Sequence, residues 1–209
     1  AWAECWGFDE QTRSLMAAPF FHVVYNPLVL GAHRCGGATV VPHSPAVQSV
    51  TAAVERGRVT ALMGTPALMR QLVDERWSNR HDLSSLVCII YGAAPTPPDV
   101  VRALGERFPA ARRFNCYGMT ETSPVSFQTA PDDPLDRRVG TVGRIHPHVE
   151  AKVIDSEGRT VSPGEPGELC TRGYLVMLGY WGDAERTAEA VDAAGWMHTG
   201  DLATIDAEG

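Results

Sequence analysis

Leu86-Val87-Cys88-Ile89-Ile90-Tyr91, followed at once by Gly92-Ala93-Ala94-Pro95, is an unbroken apolar run that stops at small residues and a proline. An apolar run without polar alternation fits a strand covered on both faces, the situation of a central strand in a parallel sheet. On its N-terminal side, Val59-Thr60-Ala61-Leu62-Met63 reads as a second strand ending at Gly64. Pro66 then opens a helix with Leu68, Met69, Leu72 and Val73 on one face. Further back, Val47, Val50 and Val54 recur at helical spacing, and Gly57 is placed as the residue that stops that helix. On the C-terminal side, Thr96 with Asp99 three residues later resembles a capping signal, and Pro98 suits a first helical turn. Val100, Val101, Leu104 and Phe108 make that helix's buried face. A short strand near Arg113 to Cys116 runs into Tyr117-Gly118. This alternation from Pro45 to Cys116 predicts an α/β fold, a parallel sheet with flanking helices.

After Pro124 the pattern changes to short strand-like runs between turns. They include Val149 to Ile154, the turn Asp155-Ser156-Glu157-Gly158, and Gly167-Glu168-Leu169-Cys170-Thr171-Arg172-Gly173. A smaller, mainly β subdomain is expected over 131–209, following an α/β subdomain over 1–130. The polar, proline-rich Pro131-Asp132-Asp133-Pro134 marks the boundary.

Composition bounds the function. Of 209 residues, 44% are hydrophobic and 21% charged, ordinary for a globular protein, and the net charge of -7 comes without a dense Lys/Arg cluster. That excludes the basic surface a nucleic-acid binder needs. A nucleotide remains compatible, because backbone N–H groups and a divalent cation can supply positive potential locally. The five cysteines, Cys5, Cys35, Cys88, Cys116 and Cys170, are scattered, with no C-x-x-C pair, and read as reduced thiols. No apolar run reaches the roughly 18 residues of a membrane helix, and a cytoplasmic location is expected. The chain opens on Ala1-Trp2-Ala3-Glu4-Cys5-Trp6 without a Met and closes on the turn-like Ala207-Glu208-Gly209. A fragment of a larger protein is expected.

In a parallel sheet, ligands bind beyond the carboxyl ends of the strands. Two such places carry suitable chemistry. Gly92-Ala93-Ala94-Pro95 offers small residues that let backbone approach a flat ligand. Tyr117-Gly118-Met119-Thr120-Glu121 offers a ring to stack on a base, a glycine for close approach, a hydroxyl for a phosphate oxygen and a carboxylate for Mg²⁺. Downstream, the Asp201 carboxylate of Thr199-Gly200-Asp201 is suited to accept hydrogen bonds from two ribose hydroxyls.

Tyr117-Gly118-Met119-Thr120-Glu121 and Val139-Gly140-Thr141-Val142-Gly143-Arg144, then Gly167-Glu168-Leu169, Gly179-Tyr180-Trp181 and Gly195-Trp196-Met197-His198-Thr199-Gly200-Asp201, follow one another in an order and spacing. This series resembles the successive motifs of the AMP-forming, adenylate-forming acyl-CoA synthetases, over nearly the whole chain. The run from Gly167 to Gly209 is most similar to the medium-chain fatty acyl-CoA synthetase branch. The resemblance implies part of the large domain of such an enzyme, with a distorted, barrel-like second subdomain. It implies ATP, Mg²⁺ and CoA as cofactor and substrates, and a carboxylic acid of the medium-chain fatty type.

Residue by residue, the resemblance implies that Tyr117 stacks on adenine and that Gly92, Ala93, Ala94 and Pro95 line the adenine pocket beside Gly118 and Met119. Thr120 contacts the α-phosphate, Glu121 holds Mg²⁺, and Asp201 binds the ribose. Phe21 and His22, within Pro19-Phe20-Phe21-His22-Val23, and Gly64-Thr65-Pro66 belong to the acyl pocket. The following Val23-Val24-Tyr25-Asn26-Pro27 departs from the glycine-containing stretch of that family, which affects the shape of an acyl tunnel. The family's Ser/Thr/Gly-rich phosphate loop and C-terminal lysine have no counterpart in these residues. Two other readings stand beside this one. An amino-acid adenylation domain would place an Asp in the Phe20–Val23 segment, where there is none. A non-catalytic nucleotide-binding protein would lack the phosphate loop and the lysine. Tyr117, Glu121 and Asp201 also have plain structural readings, as a strand-end aromatic, an acidic first-turn residue and a turn former.

Overall fold

The computed structural model describes residues 2–209 and resolves two compact units. One holds the chain up to Tyr117 together with Thr129–Gly143; the other holds Gly118–Gln128 together with Arg144–Gly209.

The first unit is built on parallel strands β1 (Arg13–Leu15), β2 (Ala38–Val40), β3 (Ala61–Gly64), β4 (Cys88–Gly92) and β5 (Arg112–Tyr117). They lie in the order β2-β1-β3-β4-β5, each neighbouring pair parallel. Every residue of β4 is buried, as its apolar run requires. The strand begins at Cys88 rather than Leu86, because the Val87 and Cys88 N–H groups both donate to the Thr60 carbonyl, an irregular start to the ladder. Helices Val47–Gly57, Pro66–Val73 and Pro98–Arg107 connect the strands. Leu15, Val50, Val54, Leu62, Met69, Leu72, Ile89 and Leu104 interlock in one fully buried core. Truncating Leu15, Leu62, Met69, Leu72, Ile89 or Leu104 to Ala costs about 2–5 kcal/mol in such a setting.

Two local expectations are corrected. Gly57 is the last helical residue and not the stop beyond it; Arg58, at φ 47°, takes the left-handed position. Gly57 serves packing instead, since a Cβ there would meet both γ-methyls of Val40 at 2.8 and 2.9 Å. Thr96 does not cap the helix that starts at Pro98, because Pro97 stands at the N-cap position and Thr96 is buried before it.

The segment Thr129–Gly143 returns to the first unit through polar bonds. Thr129 N–H donates to the Asn115 carbonyl, Asn115 N–H donates to Thr129 Oγ1 at 2.9 Å, and Asn115 Nδ2 donates to the Thr141 carbonyl at 3.0 Å. Val139 packs on the core. The chain therefore passes between units at Tyr117/Gly118, Gln128/Thr129 and Gly143/Arg144 and not at a single break after residue 130.

In the second unit β6 (Phe127–Gln128) pairs antiparallel with β7 (Arg144–Ile145). Strands β8 (Val149–Ile154), β9 (Gly167–Gly173) and β10 (Met197–Ala203) form an antiparallel sheet in the order β10-β9-β8. The fold is thus mixed α/β, a parallel sheet with helices plus a smaller antiparallel sheet. The turn after β8 forms because Asp155 Oδ1 accepts from the N–H groups of Glu157 and Arg159 at 2.8 and 3.0 Å. Helix Ala184–Ala190 is capped by Asp183, whose Oδ1 accepts from Arg186 N–H at 3.0 Å. His146 is buried, and burial pushes its pKa down to about 4, so it is neutral near pH 7. Among the described residues no helix is long and apolar enough to cross a membrane.

Candidate active site

The register of the parallel sheet brings several sequence-predicted residues to one edge. Leu15 lies opposite Leu62, Gly64 opposite Tyr91, and Gly92 opposite Cys116. The carboxyl ends of β1, β3, β4 and β5 are therefore neighbours. Phe21 and His22 follow β1, Gly64 and Thr65 close β3, Gly92 to Pro95 follow β4, and Tyr117 ends β5. Across this edge the acyl-pocket candidates lie toward β1 and β3, and the adenine candidates toward β4 and β5.

Each segment has a local cause. The Phe21 side chain is 91% exposed, and His22 is exposed beside it. The His22 Nδ1 accepts from Val24 N–H at 3.2 Å, so the neutral ring carries its proton on Nε2. Phe20 packs on Tyr25 with ring centroids 5.7 Å apart. Pro27 lies near the start of a π-helical turn, Asn26–Leu30. Thr65 caps helix Pro66–Val73 by accepting from Leu68 N–H at 3.4 Å, and a Cβ at Gly64 would meet the Leu68 and Met69 side chains at 2.7 and 2.9 Å. Gly92 is buried, and a Cβ on it would collide with the Cys116 carbonyl oxygen. Ala93, exposed and held at φ 65°, is a non-glycine residue in the left-handed region. Such strain costs on the order of 1–3 kcal/mol and concentrates at ligand sites.

Beyond Tyr117 the chain enters a single 3-10 turn, Thr120–Thr122. Buried Thr122 organises it: its Oγ1 accepts from Met119 N–H at 3.1 Å and from Ser126 Oγ at 2.9 Å. A Cβ at Gly118 would strike the Pro124 carbonyl, so the loop closes only with glycine there. Thr120 is exposed on this turn and Glu121 is half-buried. The Glu121 carbonyl accepts from Met177 N–H at 2.8 Å, and its Oε1 accepts from the Tyr180 hydroxyl at 2.7 Å. That bond raises the Tyr180 pKa above its ordinary value.

Asp201 is exposed within β10, where the pairing with β9 shifts between His198 and Leu202. Gly200 takes φ 71°, its N–H donates to Glu168 Oε1 at 3.0 Å, and Asp201 N–H donates to Thr199 Oγ1 at 3.1 Å. Thr199 Oγ1 in turn donates to the Leu169 carbonyl at 2.7 Å. Glu168 also meets His198 Nδ1 at 3.2 Å. Glu168 and Thr199 therefore fix the bulge that presents Asp201. Thr122, Tyr180, Glu168 and Thr199 carry no local sequence signal of a functional role. The motifs containing the last three were visible, but their partners lie about 30 to 59 residues away in the chain.

The cysteines offer no nucleophile in this region. Burial pushes the Cys116 thiol far up and that of Cys88 up to about 12, so both stay protonated near neutral pH. The exposed Thr120 hydroxyl and the Glu121 carboxylate lie on one turn and offer a ligand a hydrogen-bond donor and a negative charge.

The family described as AMP-binding enzyme matches residues 1–181. The chain belongs to that family. It is 37% identical over 205 residues to the medium-chain acyl-CoA ligase ACSF2, mitochondrial, of Homo sapiens, covering 96% of this chain and 33% of that protein. The chain thus spans about a third of the length of the curated relatives it matches. Among solved structures, the amide bond synthetase McbA from Marinactinospora thermotolerans superimposes with TM-score 0.87 at 33% identity, over 99% of this chain and 42% of that one. The O-succinylbenzoate Coenzyme A synthetase MenE from Bacillus subtilis, in complex with ATP and magnesium ion, gives TM-score 0.86 at 28% identity, with the same coverage of 99% and 42%. One expectation from the sequence is overturned for this AMP-binding family member. ACSF2 is a mitochondrial protein, which conflicts with a cytoplasmic location.

Proposed function

We propose that this chain is the part of a longer acyl-CoA synthetase that holds adenosine and the acid to be activated. The ordered row of candidate residues along the carboxyl edge of β1, β3, β4 and β5 supports this reading most. In it, Tyr117 stacks on adenine over the backbone of Gly92, Ala93, Ala94 and Pro95, beside Gly118 and Met119. Asp201 accepts from the ribose hydroxyls. Phe21, His22, Gly64 and Thr65 border the acid, with its tail on the β1–β3 side and its carboxylate toward the nucleotide.

The Glu121 carboxylate on the Thr120–Thr122 turn is the hard oxygen ligand that Mg²⁺ selects, and one of its oxygens is already fixed by Tyr180. Mg²⁺, when bound, neutralises charge on the triphosphate. Thr120 donates to an α-phosphate oxygen and Glu121 supplies the metal-binding carboxylate. A carboxylate oxygen of the acid attacks the α-phosphorus of ATP, and the bond to pyrophosphate breaks. The CoA thiolate then attacks the acyl carbonyl carbon and AMP leaves, the thiol proton passing to solvent. Positioning and charge stabilisation carry both steps.

The acid is a medium-chain fatty acid, a reading supported by the likeness to ACSF2. The absence of an acidic residue between Phe20 and Val24 also supports it, because an amino acid's ammonium would lie there unpaired. The expected result, in the longer enzyme, is pyrophosphate release that is fastest with medium-chain acids and yields acyl-CoA when CoA is present. Amino acids that outperform fatty acids would favour the amino-acid adenylation reading. Acyl transfer to amines but not to CoA would move the chain toward the amide-bond chemistry named for McbA.

A further inference from the structure

We infer that Tyr180 is a positioning residue for Glu121, fixing the carboxylate in the orientation that receives Mg²⁺. The inference rests on the proposed metal-binding role of Glu121. The Tyr180 hydroxyl donates to Glu121 Oε1 at 2.7 Å, a short bond to a carboxylate across 59 residues of sequence. The phenol hydroxyl is the donor of this pair, because a carboxylate oxygen can only accept. It therefore directs Oε1 toward itself and turns Oε2 to a different side.

The same loop makes a second attachment to the turn, since Met177 N–H donates to the Glu121 carbonyl at 2.8 Å. Backbone and side chain of one residue are thus held from Met177 and Tyr180 together. The loop itself is anchored. Tyr180 N–H donates to Thr187 Oγ1 at 2.9 Å, and that hydroxyl donates to the Asp183 carbonyl at 2.7 Å. Asp183 N–H in turn donates to the Tyr180 carbonyl at 3.2 Å. A Cβ at Gly179 would meet Thr187 at 2.8 Å, so glycine lets the loop lie against helix Ala184–Ala190. A rotamer-rich Glu on an isolated 3-10 turn would sample several orientations. Tyr180, on an anchored loop, selects one and removes that entropy from metal binding.

The test compares the parent, Tyr180→Phe, Glu121→Gln and the double variant in the longer enzyme, measuring acid-dependent pyrophosphate release against Mg²⁺ concentration at saturating ATP. Phe keeps the ring and removes only the hydroxyl. Tyr180→Phe is expected to raise the half-saturating Mg²⁺ concentration about fivefold, a modest effect for a partly exposed charge-assisted bond. The KM for the acid and the thermal midpoint should stay at parental values, and the double variant should match Glu121→Gln alone. A parental Mg²⁺ profile for Tyr180→Phe beside a shifted one for Glu121→Gln overturns the positioning role and leaves the metal role of Glu121 standing. Parental profiles for both overturn the two together.

Discussion

Glu121→Gln should lower acyl-adenylate formation by about 10²-fold in the longer enzyme, the range seen when one charge-stabilising group is removed from a preorganised site. The substitution is nearly isosteric. Its amide oxygen can still accept from the Tyr180 hydroxyl, and the backbone bond from Met177 N–H to the residue-121 carbonyl is untouched. What disappears is the negative charge that a divalent cation requires. The loss should therefore be deepest at limiting Mg²⁺, while urea unfolding stays at the parental midpoint. Near-parental acyl-AMP yield at limiting Mg²⁺ would remove Glu121 from the metal site.

Gly92→Val should destabilise the fold by about 3 kcal/mol, toward the upper end for forcing extra atoms into a packed interior. Gly92 is the last residue of fully buried β4, and the atom its Cβ would strike is the Cys116 carbonyl oxygen of β5, a backbone atom held in the ladder. Flexible side chains can yield to such a contact, whereas paired backbone moves only with its strand. The same insertion at Gly158 or Gly164 meets nothing within 4 Å, although both turns take positive φ. The expected reading is a lower urea midpoint at unchanged slope. Because Gly92 precedes Ala93-Ala94-Pro95, nucleotide affinity should fall along with stability. An unchanged midpoint would mean that β4 and β5 do not approach as closely as described.

The parallel sheet was legible because its signal is local. An apolar run such as Leu86–Tyr91 has few conformational options, and Val50, Val54, Leu104 and Phe108 repeat at helical spacing next to strand-like runs. Boundaries were less legible. At Thr96 a capping signal was displaced by the neighbouring Pro97, and at Gly57 packing against Val40 outweighed the usual role of glycine beyond a helix end. Thr129–Gly143 rejoins the first unit through Asn115, which no composition shift announces.

The candidate site divides in the same way. Gly92–Pro95 and Tyr117 follow from the rule that ligands lie at carboxyl ends of parallel strands, and they fall on adjacent strands. The supports do not follow from any local rule. Tyr180 reaches Glu121, and Glu168 reaches the Gly200 N–H, through contacts between distant segments. Thr122 looked like part of a polar turn, and only its burial and three-way hydrogen bonding reveal that it shapes the presentation of Thr120 and Glu121.

In the proposed reaction an acid is joined to the AMP moiety of ATP, and ATP–pyrophosphate exchange without CoA measures that step alone. In the longer enzyme, exchange is expected to require both Mg²⁺ and a medium-chain acid, with label returning to the β- and γ-phosphates of ATP. Acid-dependent cleavage of ATP to ADP and phosphate, with no exchange of pyrophosphate, would contradict it.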